Sequence, residues 1–135
     1  EVDSQNGGIA LASGLAQSLA AVVPGAIVVR AAGDVVEVSS HLVEWTAASF
    51  VGQLLNQPGD RRALIETAAW NALNTVQDFV TEVFRQPWPC PLDPSASSGT
   101  MALPAVSLEE STLHMWYGER STPSLQLRSI QVDGL

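Results

Sequence analysis

The chain has 135 residues, a formal net charge of −8, 46% apolar residues and only 15% charged ones, a globular rather than a disordered composition. That length holds one domain able to bury about two-thirds of its extended surface, so a core forms without disulfides or metal. All six cations are arginines; the lack of lysine excludes a Walker phosphate loop and Schiff-base chemistry, and the acidic balance argues against nucleic acid as a partner.

Residues 9–22 place Leu11, Leu15, Leu19 and Val22 on one face of a helix, which Val23-Pro24-Gly25 ends. No charge falls between Asp3 and Arg30, yet Gln5, Asn6, Gln17 and Pro24 interrupt the stretch, so membrane insertion is not expected. Glu1 and Asp3 stand where a signal peptide carries a basic segment, and a cytoplasmic location is the expectation. Glu1 in place of methionine points to something removed upstream.

A hairpin follows over 26–40. Gly33-Asp34 suits a type II′ turn, which sets Ala32 opposite Val35, Arg30 opposite Glu37 and Val29 opposite Val38. One face then carries Ile27, Val29, Ala31, Val36 and Val38, and the other carries the Arg30/Glu37 pair.

Apolar spacing predicts a helix over 42–55, with Val43, Ala47, Phe50, Val51, Leu54 and Leu55 on its buried side. Asn56-Gln57-Pro58-Gly59 breaks it, and Asp60 caps a long helix over 61–86. Ile65, Ala69, Ala72, Val76, Phe79 and Val83 form the stripe of that central helix, widened by Trp70, Leu73, Val80 and Phe84.

Residues 87–104 hold five of the eight prolines and read as an extended loop. Beyond it, 105–109, 112–118 and 124–132 read as strands, the last with a bulge near Arg128-Ser129. The fold class is therefore α+β: a single domain whose antiparallel sheet joins the N-terminal hairpin to the C-terminal strands, packed on the long helix and two shorter ones.

Chemistry is sparse. His41 and Glu44 are three apart, but no second pair completes a metal site, and no metal or cofactor is called for. Cys90 has no histidine near it in sequence and reads as an apolar loop residue beside Trp88. No G-x-S-x-G elbow accompanies the serines, and Glu109 and Glu110 point to opposite faces as strand neighbours. Arg61 and Arg62 open the long helix where acids are usual, which makes them an anion-site candidate that competes with Asp60.

The aromatics give the main positive signal. Leu113, Met115 and Tyr117 share one face of a strand, and His114 and Trp116 share the other, so something must cover the second face. The proline-rich loop, with Trp88 against Trp116, a partner chain or a ligand would do so. Trp88, His114, Trp116 and Tyr117 are thus the candidate binding residues. The expected function is a non-catalytic binding or assembly module, homodimeric through this aromatic face, with another protein or a small molecule as possible partners. One alternative is a small-ligand protein or small enzyme with a pocket under the proline-rich loop. In size and acidity alone the chain resembles the bacterial secretion chaperones, whose order of strands and helices differs from the one read here. That resemblance implies a second alternative, a secretion-chaperone-like role.

Overall fold

The computed structural model describes residues 2–86, 88–89, 102–121 and 123–132. In chain order the elements are α1 (Val2–Ala20), β1 (Ile27–Ala32), β2 (Val35–Ser40), β3 (Ala47–Ser49), α2 (Val51–Leu55), α3 (Arg61–Phe84), β4 (Pro104–Glu109), β5 (Thr112–Gly118), β6 (Pro123–Gln126) and β7 (Ile130–Gln131). The arrangement is α+β, as the sequence implies. The strands do not join one sheet, however: β1-β2-β3 form an N-terminal sheet, and β4-β5-β6 with β7 form a C-terminal one. The long helix α3 lies against both, touching β2 and β3 on one side and β4 on the other, which keeps the sheets apart.

The first hairpin has the register read from its turn, with Ala32 opposite Val35, Arg30 opposite Glu37 and Val29 opposite Val38. Gly33 takes a φ of +62°, which a glycine adopts without the steric penalty of a Cβ. Ile27, Val29, Val36 and Val38 are buried, while Arg30 and Glu37 pair on the opposite face at 3.2 Å.

Residues 42–55 correct the helix expected there. Ala47–Ser49 is a strand, and only Val51–Leu55 is helical. The far edge of β2 needs a hydrogen-bonding neighbour, and β3 supplies it, pairing Val38 with Ala47 and Val36 with Ser49. Short apolar spacing does not separate helix from strand, so sheet pairing decides. The Ser49 hydroxyl then donates to Asn71 Oδ1 on α3 at 2.7 Å, which ties the new strand to the long helix.

α3 begins at the Asp60 cap, whose carboxylate accepts from the Ala63 N–H at 3.0 Å. Its stripe from Ile65 to Phe79 is buried, and Val83 is half-buried. Trp70 departs from the expected stripe: it is 42% exposed and donates its indole N–H to Pro104 O at 3.1 Å. It belongs to a row of α3 side chains that serve the edge of β4. Arg62 donates to Leu108 O, Glu66 accepts from the Leu108 N–H at 2.9 Å, and Gln77 donates to Ala102 O. An edge strand leaves such groups unpaired, and here side chains of a helix pair them.

The last predicted strand is broken in two. β6 and β7 both pair with β5, separated by Leu127–Ser129 around the expected bulge. Ser18 of α1 donates its hydroxyl to Arg128 O at 3.0 Å within that break. No helix among the described residues is long and apolar enough to cross a membrane.

Candidate functional site

β5 presents two faces by simple alternation. Leu113, Met115 and Tyr117 are buried on one face, in the core that α3 also lines. The Tyr117 hydroxyl donates to Leu73 O at 2.7 Å, and burial, helped by the Asp78 carboxylate, pushes the phenol far above its ordinary range. Tyr117 is a hydrogen-bond donor there, not an acid or base at neutral pH.

Trp88 does not meet Trp116. It packs edge-to-face on Tyr117, with ring centroids 5.3 Å apart. The four candidate binding residues therefore divide into two pairs on opposite faces, with Trp88 and Tyr117 inside and His114 and Trp116 outside.

On the outer face Trp116 is only 9% exposed. Arg120 lies over the ring, its guanidinium carbon 5.1 Å from the centroid, a cation–π contact. His114, Trp116, Arg120, Pro123 and Gln126 line a recess of about 120 Å³. Small-molecule sites usually start near ~300 Å³, so the recess is undersized.

Glu109 is the hub of the polar groups on this side. Arg120 donates to its Oε2, and the Ser107 hydroxyl donates to the same oxygen at 3.0 Å. Those two hydrogen bonds hold the Glu109 carboxyl below the ordinary carboxylate range. His114 Nε2 stands 3.9 Å from Glu109 Oε1. Ser107 is directly across from His114, yet its hydroxyl is aimed at Glu109. The three side chains do not make a nucleophile–base pair.

The remaining candidates lie apart. His41 and Glu44 are exposed and sit in a non-helical connection, so their three-residue spacing places them on no common helix face. Arg61 donates to Leu55 O at 3.2 Å and Arg62 to Leu108 O, so the structure turns the two guanidiniums toward separate carbonyls. Cys90 and most of the proline-rich loop lie outside the described residues. Among the described residues, no group of three or more His, Cys, Asp or Glu is placed to share a metal ion.

What sequence reasoning missed is the outer face of the N-terminal sheet. Val28 and Phe50 are each 52% exposed. Val28 shares its face with Arg30, Glu37 and Val35, and Phe50 directly follows the Ser49–Val36 pair as the N-cap of α2. Strand parity already set Val28 and Val35 with the ion pair; Phe50 was hidden by the helix expected at 42–55. Comparison with protein-family models, with curated proteins and with solved structures finds no match to this chain.

Proposed function

We propose that the chain is a non-catalytic binding or assembly module that acts as a homodimer. One observation carries this reading. An antiparallel sheet with one face on its core normally shows polar side chains on the other. In the N-terminal sheet that outer face instead carries Val28, Ala32, Val35 and Ala48 beside Ser39 and a single ion pair, and none of the four apolar residues is buried; Phe50 is exposed just past β3. Leu42 and Trp45, about half-exposed in the β2–β3 connection, add to the apolar surface. The Trp116 face lends less support, because Arg120 already lies over the ring.

Sedimentation velocity over roughly 1–100 µM, a range that brackets micromolar affinities, tests the reading. The expected result is a mass that rises with concentration toward two chains. A constant mass of 14.3 kDa across the range overturns it.

A small-ligand reading has its own support in an open groove of about 310 Å³ between α3 and β4, lined by Ala63, Glu66, Thr67, Trp70 and Val106. Its volume reaches the range of small-molecule sites and Trp70 forms one wall. A fragment screen by NMR in which no shifts cluster on Thr67, Trp70 and Val106 removes that reading.

A further inference from the structure

We infer that the occupant of the outer face of the N-terminal sheet is a second copy of this chain, stacked so that Arg30 of each copy meets Glu37 of the other. This rests on the self-association reading above and adds the surface and its pairing chemistry. Two copies that each carry a net charge of −8 repel one another over most approaches. This face is different. Its register sets Val28 beside Ser39, Arg30 beside Glu37 and Ala48, and Ala32 beside Val35. One cation and one anion lie at its centre, with Val28 and Ser39 on one flank and Ala32 and Val35 on the other, so the face carries no net charge.

A two-fold interface requires a patch complementary to itself. An axis parallel to the strands, running between β1 and β2, places each guanidinium over the partner's carboxylate. It also carries each Phe50 toward the free edge of the partner's β1. An axis across the strands instead sets Arg30 over Arg30, so charge selects the first arrangement. Two six-residue strands about 20 Å long and the three-residue β3, about 4.8 Å apart, make a footprint within roughly 14 by 20 Å. That is small beside the ~800 Å² per partner of a standard interface, so the dimer dissociates readily, with a dissociation constant in the micromolar range that the sedimentation series brackets.

The test uses Arg30→Glu and Glu37→Arg, which make the central pair all-acidic in one chain and all-basic in the other. The ion pair is exposed, at 73% and 40% of its side chains, so each variant should keep its fold, which circular dichroism checks. Each alone should raise the dimer dissociation constant about tenfold or more, and an equimolar mixture of the two should restore dimer as a heterodimer. The double variant R30E/E37R keeps one charge of each sign and should dimerise like the natural chain, which controls for folding of the single variants. A natural chain that dimerises while both single variants dimerise equally well overturns the face and leaves self-association standing. Single variants that are monomeric but do not recombine overturn the crossed pairing. A natural chain that stays monomeric throughout overturns both readings.

Discussion

The Asp34 carboxylate occupies the volume that a side chain at position 52 needs. A Cβ built on Gly52 lies 1.8 Å from Asp34 Oδ2 and 2.8 Å from Asp34 Cβ, while the Gly52 N–H donates to Asp34 O at 3.0 Å. Gly8 of α1 closes the same junction, its own Cβ position 3.1 Å from the Gly52 Cα. The turn of the first hairpin is thereby clamped between two helices through glycine.

Gly52→Ala should therefore destabilise the fold by about 1–3 kcal/mol, the usual range for overpacking, because the clash reaches Asp34 Cβ and a rotamer change alone does not relieve it. Asp34→Gly in the same chain removes the obstacle and leaves a Gly-Gly turn that the hairpin tolerates. Urea midpoints of the two single variants and the double variant give the coupling. Strict additivity of the two changes would show that the residues do not compete for this space.

Glu66→Ala should cost about 1–3 kcal/mol, because the Leu108 N–H loses its acceptor beside a side chain that is 4% exposed. Glu66→Gln keeps a carbonyl acceptor and should lose less. Native-state hydrogen exchange reads the same event locally: the Leu108 amide should speed up in the alanine variant while amides in β2 hold their rates.

Tyr117 is the only tyrosine, so its ionisation is visible alone in the ultraviolet. Its folded pKa is raised by burial, whereas in the unfolded chain it ionises near the ordinary value of 10.0. Above that pH the unfolded state binds fewer protons than the folded one, so stability is complete below it and falls as pH rises. Phenolate absorbance should appear together with loss of tertiary structure in an alkaline titration. Phenolate that forms while the fold persists would contradict the buried hydroxyl.

Trp116→Ala should destabilise the chain by about 3 kcal/mol, since the ring is nearly buried and loses its contact with Arg120. Concentration dependence of the chemical-denaturation midpoint should be the same as in the natural chain, because Trp116 lies on the other sheet from the proposed interface. A variant that abolishes the concentration dependence would instead return the interface to the C-terminal sheet.

The first hairpin was legible because two local signals agreed: Gly33 fixed the turn, and side-chain parity fixed the buried face. The stripe of α3 and the inward set Leu113, Met115 and Tyr117 were legible for a similar reason, since periodicity reports burial directly. β3 was not, because Ala47 and Phe50 fit a helix as well as a strand until the unpaired edge of β2 is known. The apolar type of Trp70 points to the core, but the carbonyl of Pro104 draws its indole outward. Neither the separation into two sheets nor the Arg120 contact with Trp116 has a local pattern. The two sheets depend on where distant segments meet, and the Arg120 contact on how the chain turns between β5 and β6.

Along β4 the long helix stands in for a neighbouring strand, and this sets an order of events in folding. Arg62 and Glu66 reach Leu108 across 46 and 42 residues of chain, and Trp70 reaches Pro104 across 34. Such distant contacts close late, after the helix and the C-terminal hairpin have each taken shape. A chain made from its N-terminus completes α3 long before Pro104 is added, so the helix waits with its row of Arg62, Glu66 and Trp70 unfilled. The complementary hazard belongs to the hairpin, whose bare backbone edge can pair with any other extended chain until the helix docks. Refolding yield should therefore fall with protein concentration, and Glu66→Ala, which weakens docking without altering either part, should steepen that fall.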